Sequence, residues 1–344
     1  MAPLNSGFRF KALTRSLSGT YVPILLNSLD AAHDVVVGRS LNNSAMVVGQ
    51  SVRADGEYTA CRWLAASAFD LGDFGSTPSD ANATNNYNQI CGVATLNSGV
   101  QQAALWQNGR IRNLGSLAGL GSQSTAYALT ESTDPIVYGA SELAGGSNRA
   151  VYWQQLQIFA LPHDSDWLYS VAKVVTYNNA PAGVAFSNSQ NRQLTVLWNT
   201  SPVEVPGLAM NSSSEPRAGV SSGYLVGESD RGPGSETEAV LFQVTQPGQP
   251  AQSIQNLPAA VRSYAFGVNV YGVIVGGYQN AANETSAFVY AAQDGAQMID
   301  LNDLLQPGGP VTKVLSAHAI NDDGIILAQC EVNGTTATAL LWPI

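Results

Sequence analysis

The side chains able to do chemistry in this chain are few and scattered. Its three histidines, His33, His163 and His318, lie far apart, whereas a histidine-based metal site needs two or three ligands gathered together. Cys61, Cys91 and Cys330 make an odd count with no C-x-x-C pair. They indicate neither a disulfide framework nor a zinc site and read as small buried apolar groups. No G-x-S-x-G elbow occurs, and the glycine spacings that resemble a phosphate loop lack the Lys-Ser/Thr that would hold a phosphate. Neither a metal nor a cofactor is expected, and no catalytic residue is assigned.

Carboxylates are the remaining route to catalysis, since two acids facing each other across a pocket can cleave a glycosidic bond. The nearest pair in sequence, Asp322-Asp323, sits in an Asn-Asp-Asp-Gly stretch, where aspartate is a turn former. In the run His163-Asp164-Ser165-Asp166-Trp167 two acids alternate with an aromatic residue, a set that suits a sugar or a calcium ion. Calcium takes about six to eight oxygens from a contiguous signature, which is missing, so this loop is a secondary ligand candidate.

Charge narrows the partners. Only 12% of residues are charged and the formal net charge is −10, which argues against nucleic acid, because phosphate backbones are held chiefly by Lys and Arg. No apolar run approaches the roughly 18 residues of a membrane span, and the first residues lack the apolar middle of a secretory signal. Localisation stays open, with extracellular, cell-surface or virion settings favoured over the cytoplasm.

Whatever these groups do, a repeat positions them. An aromatic residue ending a short apolar strand recurs at Trp63, Trp106, Trp153, Trp198, Phe242, Tyr290 and Trp342, spaced 43, 47, 45, 44, 48 and 52 residues apart. Fourteen or fifteen residues before each stands a small residue expected to close another strand: Gly49, Gly92, Gly139, Gly183, Gly227, Gly276 and Ala328. Before and between these landmarks, stretches such as VNVYGVIVG read as strand, tight turn, strand, with Asn and Gly supplying the positive φ of two-residue hairpins. After the aromatic strand another turn follows, explicit in Asn108-Gly109 and Asp294-Gly295, and then a fourth short strand such as IRNLGSL or IQNLP.

Four strands repeated seven times at this period predict one all-β domain over 1–344, a seven-bladed β-propeller. The seventh unit lacks its fourth strand, and Tyr21–Leu29 has that strand's pattern. The N-terminal segment is therefore expected to complete the last blade and close the ring, removing an edge with free backbone groups. Seven repeats fill 30–344, and residues 1–20 form an arm or an extra edge strand. Ser212–Arg217 and the stretches 230–238, 245–255 and 306–311 read as rim loops.

The repeat resembles the HAF-repeat family, named for a His-Ala-Phe triplet opening the aromatic strand. Here the alanine recurs as Ala60, Ala103, Ala150, Ala239, Ala287 and Ala339, the histidine never appears, and the phenylalanine occurs only as Phe288. The resemblance implies a propeller-like fold and a bias toward exported or surface proteins, with no agreed activity to carry over.

Aligning the first strand of each unit on its hairpin gives one further column: Arg39, Asn82, Tyr127, Lys173, Arg217, Phe266 and His318. A first strand lines the central channel of a propeller, so these seven are expected to ring one mouth of it. Four are basic in a chain with 15 Lys and Arg plus 3 His in 344 residues, which predicts a locally basic, partly aromatic pocket for a small anionic ligand, a sugar acid or an acidic side chain. The leading function is non-catalytic recognition or scaffolding with a protein or carbohydrate partner, oligomeric assembly being possible. The alternatives are a structural part of a virus particle, and a glycosidase or lyase using channel acids.

Overall fold

The structure is a computed structural model that describes residues 20–246, 248–292 and 297–344. Its strands form seven antiparallel four-stranded sheets, the expected seven-bladed propeller. The first strands, one per blade, are Val36–Leu41, Gly75–Thr84, Ser124–Leu129, Trp167–Val175, Ser214–Gly219, Arg262–Val268 and Lys313–Ile320. All seven contribute to the wall of one central cavity. Among the described residues no helix is long and apolar enough to cross a membrane.

Ring closure follows the expectation. Tyr21–Leu25 pairs antiparallel with Thr335–Pro343, setting Tyr21 opposite Pro343 and Leu25 opposite Ala339, and so supplies the fourth strand of blade seven. The expected turn at Asn108-Gly109 has positive φ at both residues, 53° and 70°, the geometry that selects an Asn-Gly pair. The expected turn at Asp294-Gly295 and the proposed arm before residue 20 lie outside the described residues.

Six of the seven aromatic-column residues are core, and Trp342 is partly buried against the blade-one and blade-seven cluster. Trp63, Trp153, Trp198 and Phe242 are fully enclosed, and Trp106 and Tyr290 are buried. The buried apolar residues form seven clusters, and each lies between two neighbouring blades. Leu41, Val47 and Trp63 of blade one, for example, pack on Ile325, Leu327 and Leu340 of blade seven. No blade buries its own faces, so blade-to-blade contact supplies the apolar burial on which a repeat fold depends.

Three expectations need correction. Ser214–Gly219 is the inner strand of blade five rather than part of a rim loop, because it pairs with Leu225–Ser229 from Ser214↔Ser229 to Gly219↔Leu225. The fourth strand of that blade is Gln252–Ser253, just ahead of the expected IQNLP, since Val240 pairs with Ser253. The small landmark residue does not close its strand: Val47–Val52 continues three residues past Gly49.

Candidate binding site in the central channel

The landmark glycines mark a feature that recurs in every blade. The pairing of first and second strands slips by one residue at the same place each time, between Gly38 and Ser40, Ala81 and Ala83, Ala126 and Ala128, Ala172 and Val174, Pro216 and Ala218, Ala265 and Gly267, and Ala317 and Ala319. The skipped residues are Arg39, Asn82, Tyr127, Lys173, Arg217, Phe266 and His318. A β-bulge releases one residue from the ladder and re-aims its side chain. Here it does so seven times, and all seven residues line a single cavity of about 360 Å³. The bulge also explains the glycines. A Cβ built on Gly183 would stand 2.0 Å from the carbonyl oxygen of Val171, and Gly49, Gly92, Gly139, Gly227 and Gly276 meet an equivalent carbonyl at 1.9–2.0 Å.

The expected basic character is offset by partners that sequence inspection missed. Arg39 lays Nε and Nη2 on the Asp80 carboxylate, with Nε–O distances of 2.8 and 2.9 Å. Lys173 pairs with Glu215, and Arg217 bridges Glu215 at 3.2 Å and Glu228 at 2.8 Å. Glu131 and Asp322 also line the cavity. Five carboxylates thus accompany three permanent cations, and the pocket is not net positive. Burial alone would raise the Glu215 pKa, yet Lys173, Arg217 and Gln193 hold it below the usual carboxylate range. Burial pushes Glu131 up, a hydrogen bond donated by the Asn86 backbone amide opposes this, and the charge of Asp322 adds to the rise. His318 is held below its ordinary value by burial and then by Arg39.

One wall of the channel is aromatic. Tyr264 and Phe266 are stacked with centroids 6.0 Å apart, and Phe266 and His318 with centroids 5.5 Å apart. His318 Nε2 also shares a hydrogen bond of 2.9 Å with Ser316 Oγ. Asn82 is partly committed, since its Nδ2 donates to the carbonyl of Ala126 in the next blade at 2.9 Å.

The first hairpins form the mouth and are stitched to one another. Asn269 Nδ2 donates to the Asn321 carbonyl, Asn321 to Asn42, Asn42 to Asn85 and Asn85 to Thr130, at 3.0–3.2 Å. A second row runs beside it, with the amides of Val270, Asp322, Asn43 and Asn86 donating to the side chains of Asp322, Asn43, Asn86 and Glu131. Asp322 is a turn residue, as its sequence context implied, and an interblade acceptor as well. In blades three, four and five the stitching position holds Thr130, Thr176 and Val220. Thr176 Oγ1 is buried without a hydrogen-bond partner.

The secondary loop candidate is engaged internally. Asp166 accepts from Ser187 Oγ and from Ser189 N and Oγ, and Asp164 accepts from the Asp166 amide at 2.9 Å. His163 bonds Ser170 Oγ and the Trp167 carbonyl at 3.0 Å, while Trp167 meets the Trp198 ring edge-on. These residues staple the entry to blade four and lie outside the channel cavity. Among the described residues no group of three or more His, Cys, Asp or Glu is placed to hold a metal. Burial pushes Cys61 and Cys330 up to about 12 and Cys91 further up, in keeping with inert core thiols.

A scan against protein-family models and a search of curated proteins found no match. Among solved structures the chain is similar to a Mycobacterium tuberculosis puromycin-hydrolyzing peptidase at 12% identity and a TM-score of 0.60, covering 94% of this chain and 53% of that one. It spans about half of the peptidase's length. A lectin from Aleuria aurantia, solved with Fucα1-6GlcNAc, aligns over 79% of this chain and 97% of its own at 10% identity and a TM-score of 0.40. A Burkholderia pseudomallei lectin aligns over 95% and 98% at 10% identity and 0.36. At these identities the first likeness speaks for the propeller fold alone, and the two lectins align too loosely to add to it.

Proposed function

We propose that this protein is a non-catalytic recognition or scaffold module whose channel mouth binds a neutral, hydroxyl-rich ligand, a carbohydrate being the leading class. The observation that carries this reading is the ring of bulges. Seven blades repeat the same backbone device, yet the side chains it aims inward are Arg, Asn, Tyr, Lys, Arg, Phe and His. A repeated backbone with unrepeated side chains suits selection for one ligand more than selection for stability. An aromatic wall for a sugar face, flanked by paired ions that offer directed donors and acceptors, is carbohydrate-binding chemistry. The ion pairing favours a neutral ligand over the anion that the basic column suggested. Membership of the HAF-repeat class, with its exported or surface setting, belongs to the same proposal.

A glycan-array screen of the purified chain beside Lys173→Ala/Arg217→Ala tests it. Binding that the double variant loses supports a channel-mouth site; binding that it keeps rules that site out, and silence across the array rules out carbohydrate. One observation favours a hydrolytic second reading, namely that the pKa of Glu131 is raised and a second carboxylate, Asp322, shares its cavity, as a two-carboxylate site requires. Turnover of 4-nitrophenyl glycosides that Glu131→Gln abolishes would establish it in place of the first.

A further inference from the structure

The row of bonds around the channel mouth is broken at two blades. Six of the seven first hairpins close over the same span, from Asn42 N to Met46 O, Asn85 to Gln89, Thr176 to Ala180, Val220 to Tyr224, Asn269 to Val273 and Asn321 to Ile325, at 2.9–3.1 Å. In four of them the next residue donates its amide to a side chain of the following blade: Val270 to Asp322 Oδ1 at 3.1 Å, Asp322 to Asn43 Oδ1 at 3.0 Å, Asn43 to Asn86 Oδ1 at 2.8 Å and Asn86 to Glu131 Oε2 at 3.0 Å. Tyr177 and Ser221 hold this donor place in blades four and five. The matching acceptor places hold Ser221, with only a short hydroxyl, and Val270, with no acceptor in its side chain. Among the described residues neither amide is hydrogen-bonded, and the buried Thr176 Oγ1 at the same junction has no partner either.

The break adjoins the candidate site. Asn179 and Ser221 line the channel cavity, with Lys173 and Arg217 on the same two blades and Phe266 on the next. Elsewhere the row is completed by carboxamide and carboxylate oxygens. A second carboxylate is disfavoured at the break, because Lys173 and Arg217 are already engaged by Glu215 and Glu228 and Glu131 stands on the neighbouring blade, where like charges repel. The neutral group that imitates the Asn43 and Asn86 carboxamides is an amide carbonyl.

We propose that the break at blades four and five receives the acetamido group of an N-acetylated sugar, whose carbonyl oxygen accepts from the Tyr177 or Ser221 amide while the sugar ring lies on the Phe266 wall. The inference rests on the carbohydrate reading and sharpens it, since a sugar without the acetamido group occupies the channel and leaves the row broken. Tyr177, 45% exposed, and Val220, where four blades carry Asn, give the acetamido methyl apolar neighbours. One neutral hydrogen bond is worth about fivefold in affinity.

The test is a nuclear magnetic resonance titration of the full chain with the methyl glycosides of N-acetylglucosamine, glucose and glucuronic acid, and with the same three in the galacto series. Amide shifts are read at Tyr177 and Ser221 for the break and at Phe266 for the channel wall. In the series that fits, the N-acetyl probe should bind about fivefold tighter than the plain sugar and alone move the Tyr177 and Ser221 amides, with the uronic acid no tighter than the plain sugar. Ser221→Asn/Val270→Asn supplies both acceptors from the chain itself, on the pattern of Asn43 and Asn86, and should bring the N-acetyl probe down to the plain sugar's affinity. Equal affinity of the N-acetyl and plain probes, a tighter uronic acid, or a preference that survives in the double variant would overturn the inference and leave a carbohydrate site standing. Saturable shifts at no channel amide with any probe would overturn both.

Discussion

Replacing Asn321 by alanine probes the stitching that closes the channel mouth. Asn321 is 3% exposed. Its Oδ1 accepts from the amides of Asp323 at 3.1 Å and Ile325 at 2.9 Å, and its Nδ2 donates to the Asn42 carbonyl at 3.2 Å. Alanine removes all three bonds. The Asn42 carbonyl keeps the Ala45 amide, so its loss is an ordinary hydrogen bond of about 1 kcal/mol; the buried Ile325 amide is left unsatisfied, at about 1–3 kcal/mol. The exposed Asp323 amide turns to water at little cost. The total is about 3 kcal/mol. With an unfolding entropy of about 2.1 cal/mol/K for each of 344 residues, that lowers Tm by about 4 °C. Calorimetry gives the Tm and urea titration the free energy, and hydrogen exchange at Ile325 localises the change. A loss below about 0.5 kcal/mol with Ile325 still protected would refute the reasoning, because the carboxamide would then be decorating a hairpin that closes without it.

Gly183→Ala drives a methyl toward the Val171 carbonyl and should cost about 1–3 kcal/mol, the bulge surviving as it does beside Ala328 in blade seven, where the pairing also slips between Val314 and Ser316; a variant as stable as the parent in urea titration would contradict the close approach. Trp153→Ala, at a fully enclosed site, should cost roughly 3–5 kcal/mol, measured by urea titration. Thr176→Asn supplies the carboxamide missing from blade four and should raise stability by about 1 kcal/mol; a lower Tm would show that the blade-four hairpin cannot take the stitch. His318 has a folded pKa below its unfolded value of 6.5. Its contribution is therefore present above about pH 6.5 and lost as pH falls through the folded value. Comparing His318→Asn with the parent at pH 7.5 and 5.5 should show a smaller acid-side loss in the variant.

The blade repeat was legible because each blade is built from local pairings, and period-two strands with turn residues between them write themselves into about 45 residues of chain. The channel column was legible for the same reason, being a fixed offset from a hairpin. Its electrostatics were not. Asp80 lies 41 residues beyond Arg39, and Glu215 lies 42 beyond Lys173, so each partner sits about one repeat away on the next blade. Inspecting the column alone counts the cations and misses their partners. A second column, two residues ahead of the first, would have shown Asp80 and Glu215 as neighbours of the ring. The bulge left a trace too: glycine in six of seven blades in mid-strand, where β-propensity disfavours it, signalled close backbone approach and not a strand end.

Those glycines and the ring residues are one device seen from two strands. The bulge needs a second-strand position almost without a side chain, and that need is met by the blade's own backbone, independently of what the bulged residue carries. A change at Arg39, Tyr127 or Phe266 therefore alters the cavity wall without touching the ladder beside it. Substitution is thus least constrained at the channel ring, which is why the ligand is to be sought there.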